Sequence, residues 1–465
     1  MTITDETRRP TGDPADRAVL AERLARRLTG LFGERVEVVE LHRLTGGASR
    51  ETWSFTARTG SAAHRLVLRR DPPGTDRADG MAMEARSIAA AERNGVPVPP
   101  LVDYSTDAAA VGAPYLLTRH VDGETLARRL LRDPEYAQAR RKLAAELGRA
   151  AARVHAIPVT DVPGLERRDP LEHLRQLYDE LGEPLPSIEI ALHWLTKHRP
   201  ADVPDTVVHG DFRNGNMIVA ADGLKAVLDW EEVHLGDPRE DLGWLCVKSW
   251  RFGTAPAAGG FGSLDQLLDG YAEVAGHRPD PGAVRWWQVY GTARWAVGCR
   301  QMAERHLSGA VPSVELAAIG RRVCEQEHDL FLALGHPVGE LPDLVQAPPS
   351  DLHGRPTSRE LLDAVSLYLR ADVMSGTTGR LSFNARVAAN VIDTVARELE
   401  LEPEQERRHH ERLARYGRAD QAGLALAIRA GVIDPEDPAL LAAVRAEITD
   451  RVLVANPNYL SHPGE

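Results

Sequence analysis

The chain has 465 residues, of which 43% are hydrophobic and 27% charged, and a net charge of −12. That length supports two to three domains with sizeable cores, and the acidic balance argues against a general binder of nucleic acid or of anionic membrane. The three cysteines, Cys246, Cys299 and Cys324, are widely spaced and form no CxxC pair. This argues against a disulfide framework or a zinc site and suits a reducing cytoplasm. The opening stretch MTITDETRRPTGDPAD is polar, and no run is long and apolar enough to span a bilayer, so a cytoplasmic protein without a membrane segment is expected.

Residues 1–14 read as a disordered tail. Residues 15–31 read as an amphipathic helix, with Leu20, Leu24, Leu28 and Leu31 near helical spacing. Three strand-like runs follow, at 36–44, 52–57 and 65–68. The first two are joined by the turn Thr45-Gly46-Gly47-Ala48-Ser49-Arg50. A helix over 77–94 stops at Gly95, with Pro97 beyond. Strands are predicted over 98–104 and 115–119, and a long Ala/Leu/Arg helix over 136–155. The stretch 163–205 is punctuated by proline and includes a helix near 170–181.

Two short strands, 206–208 and 217–220, flank a polar loop, and a third over 225–228 follows the Asp222-Gly223 turn. Helices are then predicted over 241–252, 263–275, 281–306 and 313–334. The third of these carries Trp286, Trp287, Tyr290, Arg294, Trp295 and Arg300, a set that suits either lobe packing or a substrate groove. Arg294 and Arg300 are candidates to meet an anionic acceptor. A Pro-rich linker, 337–356, separates a helical unit over 357–465. There Leu361, Leu362, Val365, Tyr368 and Leu369 form one apolar face. Ala385, Val387, Ala388, Val391, Ile392 and Val395 form another, and the charged run 402–412 reads as a solvated helix face.

The chemistry concentrates in VVHGDFRNGNMIVAADGLKAVLDWE, residues 207–231, which gathers His209, Asp211, Asn216 and Asp229. Phosphoryl transfer to a hydroxyl needs a carboxylate that orients the hydroxyl and takes its proton, and hard oxygen ligands for magnesium. Asp211 suits the first task. Asn216, five residues on, and Asp229, at a strand tip, suit the second. His-x-Asp-x4-Asn followed by a strand-borne Asp has the logic of a protein-kinase catalytic loop.

HGDFRNGN and LDWE together resemble the aminoglycoside phosphotransferase and choline kinase superfamily, over about residues 16–335. The resemblance implies an α+β, two-lobed, protein-kinase-like fold, with a small β-rich N-lobe over 15–119 and a mostly helical C-lobe over 120–336. A small all-α accessory domain would follow over 357–465. It implies a kinase that uses ATP and Mg2+ and phosphorylates a hydroxyl of a small molecule. Asp211 would then be the base, with His209 stiffening its loop, and Asn216 and Asp229 would hold metal. Gly46, Gly47 and Ser49 would lie over the phosphates, where glycine lets backbone N–H groups come close.

Arg69 occupies the place of the strand-three lysine, with Arg70 beside it, and Glu84 is its helical partner. Arg can hold phosphate bidentately, so the departure preserves the role. Strand register decides between the two arginines. Val121 falls in the segment resembling the hinge that meets the adenine, and Asp241, in GDPREDL, is read as a structural anchor of the loop.

The spellings TGGASRETW, VLRRDPPG and LDWEEVHLGDPREDLGW look most like the branch linked to acyl-CoA dehydrogenases, whose members phosphorylate hydroxyacyl-CoA esters such as 4-hydroxyacyl-CoA. The alternatives are an aminoglycoside or other small-alcohol kinase, or a regulatory pseudokinase. The helical domain resembles an uncharacterised unit found beside kinases of this branch. It would dock on the kinase, shape the acceptor site, or pair two chains as a homodimer.

Overall fold

The computed structural model describes residues 14–44, 50–72, 78–348 and 350–461. The tail expected to be disordered lies, but for Pro14, outside these residues. In chain order the first elements are α1 (Pro14–Phe32), β1 (Glu37–Arg43), β2 (Glu51–Arg58), β3 (Ala63–Arg70), α2 (Ala78–Arg93), β4 (Leu101–Ser105), β5 (Tyr115–Arg119), α3 (Ala127–Arg132), α4 (Ala137–His155), α5 (Pro170–Leu181) and α6 (Pro186–Lys197). Next come β6 (Thr206–Val208), β7 (Met217–Ala220), β8 (Gly223–Val227), β9 (His234–Gly236), α7 (Arg239–Leu245), α8 (Leu264–Ala275), α9 (Pro281–Leu307), α10 (Val314–Arg321) and α11 (Val323–Leu334). The last four are α12 (Ser358–Tyr368), α13 (Gly379–Ala414), α14 (Gln421–Arg429) and α15 (Pro438–Ala455).

The chain divides into two compact units. One comprises Met1–Arg167, Pro204–Asp241 and Asp265–Arg278, and the other Arg168–Val203, Leu242–Leu264 and Pro279–Glu465.

The first unit contains an antiparallel sheet in the order β1-β2-β3-β5-β4. Helix α1 lays Leu20, Leu24 and Leu28 on the sheet face that carries Trp53, Phe55, Leu66, Leu68 and Leu117. The helix repeats every three to four residues and the strands every two, so both apolar rows meet along one surface. Alternation along β3 puts Leu68 and Arg70 on the α1 face and Arg69 on the other. Arg70 pairs across the ladder with Glu51, and its Nε donates to Glu51 Oε2 at 2.7 Å.

Elsewhere in this unit α4 and α8 cross at backbone distance. A Cβ on Gly148 would lie 2.1 Å from the Leu267 carbonyl, and one on Gly270 2.2 Å from that of Ala145. Only glycine allows this approach. Helix α4 also packs on β8, where Glu146 accepts a bond from the Leu224 N–H at 2.8 Å. The hairpin β7–β8 and the pair β6–β9 thereby acquire a rigid base.

The second unit is helical. Leu174, Tyr178, Ile188, Leu192, Trp286, Tyr290, Phe331, Leu440 and Ile448 share one core, drawn from α5, α6, α9, α11 and α15. Helices α13, α14 and α15 contribute Leu413, Leu424 and Leu440 to this core. Between Leu334 and Ser358 the described residues carry neither helix nor strand.

Several elements differ from the sequence reading. Helix α6, in the proline-punctuated stretch, was not anticipated. Ile188 to Leu192 are buried consecutively, so no polar face discloses the helical period. The helix expected over 241–252 ends at Leu245, and a separate 3-10 turn covers Lys248–Arg251. There too burial on every side, from Leu242 to Val247, hides the period. The helix expected over 313–334 is two helices, broken at Arg322.

The apolar face read on α12 is not buried: Leu361, Val365 and Tyr368 are 53%, 46% and 58% exposed. Helix α12 packs chiefly on α13, which cannot cover it from both sides. The charged run over 402–412 is likewise not simply solvated. Arg408 and Arg412 reach Asp450 of α15 at 3.0 and 2.8 Å, and Arg412 also pairs with Glu447.

Candidate active site

The loop between β6 and β7 begins with His209, which is fully buried. Its Nε2 meets the Leu228 carbonyl at 3.1 Å, and its Nδ1 accepts from the Asp211 N–H at 3.2 Å. Asp241, at the start of α7, accepts from the backbone N–H groups of His209 and Gly210 at 2.8 and 3.0 Å. His155 of α4 meets the same carboxylate at 3.0 Å, and its other ring nitrogen meets the Tyr271 hydroxyl, also at 3.0 Å. Burial pushes the Asp241 carboxyl up, but the hydrogen bond and charge of His155 bring it below the ordinary value. Gly210 has φ of +81°, and a Cβ there would meet the Glu232 carbonyl at 2.3 Å. The turn before Asp211 therefore requires glycine.

Asp211 emerges from this anchored loop. Its Oδ1 accepts from Arg213 Nε at 2.9 Å and its Oδ2 from Asn216 Nδ2 at 2.5 Å. The Leu228 N–H donates to the Asn216 carbonyl at 2.8 Å, which sets the approach to Asp229 beside the loop. Asp229 takes a left-handed backbone, φ 68° and ψ 67°, two residues past the end of β8. A non-glycine residue there stores strain, and such positions cluster at functional sites.

Asp229 Oδ1 accepts from Arg69 at 2.8 Å, and Arg69 also pairs with Glu84 of α2. Burial pushes the Asp229 carboxyl up, while the Arg69 guanidinium outweighs this and holds it below its ordinary value. Burial would lower the Arg69 guanidinium, but Glu84 and Asp229 together raise it.

Sequence reasoning therefore named residues that the fold brings together: Asp211 with Asn216 and His209, and Asp229 with Arg69 and Glu84, all within the first unit. The sheet's alternation also separates the two arginines. Arg70 faces away from this group, toward Glu51 and the Val111 carbonyl at 3.0 Å. Val121 is half-buried on the segment that bridges to β7 through Glu124 and Val219. Gly46, Gly47 and Ser49 lie outside the described residues. Arg294 and Arg300 belong to the second unit. The Arg294 guanidinium stands over the Trp244 ring at 5.2 Å, and Arg300 pairs with Glu183.

Three participants escaped the sequence reading. Arg213 and Glu231 sat inside the motif as unassigned letters. Arg50 stood at the end of a glycine turn, where a charge ordinarily means solvent. Arg50 is buried against Asp71, Glu84 and Glu231. Burial and the neighbouring Asp229 raise the Glu231 carboxyl above its ordinary value.

Two oxygens at the centre remain uncommitted among the described residues. Asn216 donates through Nδ2, leaving Oδ1, and Asp229 is engaged through Oδ1, leaving Oδ2. An amide oxygen and a carboxylate oxygen form a hard donor set of the kind magnesium takes together with phosphate oxygens. Among the described residues no group of three or more His, Cys, Asp or Glu could hold a metal by itself.

A strand-rich unit with a helix-borne glutamate, together with the His209–Asn216 loop and an Asp-tipped hairpin, defines a kinase-like fold. A solved structure from Ralstonia eutropha JMP134, named after the aminoglycoside phosphotransferases, shares the fold. It has a TM-score of 0.53 at 22% identity, over 68% of this chain and 99% of that one. The sequence model of the phosphotransferase enzyme family (APH) matches residues 40–287, and the chain belongs to that family. A second model, for a domain of unknown function (DUF6285), matches residues 375–459.

Mouse acyl-CoA dehydrogenase family member 10 is 28% identical over 265 residues, covering 53% of this chain and 24% of that protein. Human acyl-CoA dehydrogenase family member 11 is 25% identical over 278 residues, covering 54% of this chain and 34% of that protein. The chain thus spans between a quarter and about a third of the length of these two relatives. No helix among the described residues is long and apolar enough to cross a membrane.

Proposed function

We propose that the chain transfers the γ-phosphoryl group of ATP to a hydroxyl of a small molecule, most specifically a hydroxyacyl-CoA such as a 4-hydroxyacyl-CoA. The observation that carries the reaction is an anchored carboxylate, Asp211, hydrogen-bonded to Asn216, with one oxygen each of Asn216 and Asp229 left uncommitted among the described residues. Asp211 orients the acceptor hydroxyl and takes its proton as the new O–P bond forms. The bond from the γ-phosphorus to the bridging oxygen breaks, and ADP leaves. Asn216 and Asp229 would hold magnesium together with phosphate oxygens, and the ion would supply charge neutralisation on the triphosphate.

Arg69, paired with Glu84, holds phosphate oxygens in the place of a lysine, and the family resemblance implies the same task for Gly46, Gly47 and Ser49. Val121 lines the adenine side. His209 and Asp241 keep the loop still, so Asp211 needs little reorganisation during the reaction.

The acyl-CoA assignment is supported by the names of the two relatives and by the spelling of the three motifs quoted above. Arg294 and Arg300 are proposed to meet the anionic acceptor. The lobes are taken as 15–119 and 120–336, joined through 337–356 to an accessory domain over 357–465. The exposed apolar row of α12 suits that domain to pair two chains, and free, buried cysteines suit a cytoplasmic setting.

Mass spectrometry tests the reading. The protein, magnesium and ATP are incubated with 3-, 4- and 5-hydroxyacyl-CoA esters, aminoglycosides and choline. A phosphorylated CoA ester is expected. A phosphorylated aminoglycoside would replace the acceptor assignment, and bound nucleotide with no product from any acceptor would favour a regulatory role.

A further inference from the structure

Arg50 links four parts of the first unit. Its side chain is 4% exposed. The Nε donates to Asp71, just past β3, at 3.1 Å. One terminal nitrogen meets Glu84 of α2 and stands 3.5 Å from Glu231, two residues beyond Asp229. Asp71 and Glu84 are both fully buried. A buried carboxylate stripped of its counter-ion is strongly destabilised, so each needs a cation that stays.

Glu84 is shared by Arg50 and Arg69, while Arg69 is divided between Glu84 and Asp229. If Arg69 were the sole partner of Glu84, moving it would strand that carboxylate. With Arg50 in place, Glu84 remains compensated whichever partner Arg69 takes. The planar fork of arginine allows this, because its donors point in several fixed directions where lysine offers one compact charge.

We propose that Arg50 is a positioning residue for phosphoryl transfer: by holding Glu84, Asp71 and Glu231, it frees Arg69 to exchange the Asp229 carboxylate for triphosphate oxygens. The role rests on the nucleotide reading above. It accounts for a buried arginine at the end of the glycine turn, with no acceptor contact of its own assigned. On this reading Asp229, held by Arg69 in this structure, would be freed for metal when Arg69 turns to phosphate.

Calorimetric Mg-ATP affinity, with thermal melting in parallel, tests it. Arg50→Lys keeps a cation but loses the fork. Its Kd for Mg-ATP is expected to rise about tenfold, the scale of a lost charge-assisted hydrogen bond, with Tm close to wild type. Asp71→Asn, which removes one of the anchors of Arg50, should weaken binding less. Arg70→Gln, on the other sheet face, should leave the Kd unchanged. A wild-type Kd in Arg50→Lys overturns the proposal, as does an equal loss in Arg70→Gln. Should the wild-type protein bind no nucleotide, the functional reading itself fails. Wild-type binding with an unaffected Arg50→Lys rejects the role of Arg50 alone.

Discussion

Both units bury charge, but they use it differently. In the second unit α11 buries five consecutive polar residues, Glu325 to Asp329. Their side chains are engaged mostly by fixed neighbours. Glu325 takes Arg322 and Asn456, Gln326 takes Ser249, Glu327 takes Ser187 and Arg451, and Asp329 takes Tyr459 and Lys248. In the first unit Arg69 and Asp229 are 22% and 29% exposed, and among the described residues Asn216 and Asp229 each keep one oxygen uncommitted. Buried charge alone therefore does not mark a site. Partial exposure and uncommitted donor oxygens are the difference here, because they leave groups able to change partner when a ligand arrives.

The contrast can be broken by substitution. The largest effect is expected from Asp229→Ala. It should lower kcat by roughly 100-fold or more, the scale of a lost transition-state charge stabiliser, if Asp229 holds the metal as proposed, while the protein still melts cooperatively. Glu327→Ala should do the reverse. Stability should fall by about 3 kcal/mol, as when a buried pair loses one partner, and the folded protein should bind Mg-ATP with an unchanged Kd. A large loss of Mg-ATP affinity in Glu327→Ala would dissolve the distinction.

Acidity sharpens the comparison, because the two units carry buried aspartates of opposite sign. The Asp241 carboxyl lies below its ordinary value of 3.8, so its contribution is present above that pH and lost as pH falls through the lower folded value. Burial raises the Asp329 carboxyl to about 6, against which Lys248 and the Tyr459 hydroxyl act only in part. Its contribution is present below pH 3.8 and lost as pH rises through about 6. Melting curves from pH 4 to 8 should therefore show Asp329→Asn gaining on wild type as pH rises, with Asp241→Asn trailing it throughout. The smallest effect is expected at the surface. Arg65→Ala breaks an exposed ion pair with Asp122 and should leave Tm unchanged.

The sequence disclosed the first unit better than the second. Short polar motifs with fixed spacing identify a loop whatever surrounds it, so His209, Asp211, Asn216 and Asp229 were legible before any fold was known. The sheet was legible too, since β2 alternates buried and half-buried residues along its length. Arg50 was not, because one charged letter at a turn does not reveal that it is buried. Helices α6 and α7 were missed or overextended because burial all around erases the period on which a helix is recognised. The apolar face of α12 was legible from its helical spacing, but spacing alone does not tell that its residues remain exposed.

The most direct measurement is a paired one on Asp211→Asn, combining the Mg-ATP dissociation constant with the rate of acceptor phosphorylation. The substitution keeps the size and hydrogen-bonding reach of the side chain while removing its basicity. The Kd should match wild type and the rate should fall by roughly 100-fold or more, the usual worth of a general base. Phosphorylation at the wild-type rate would contradict the assignment of Asp211 and, with it, the account of the loop built around it.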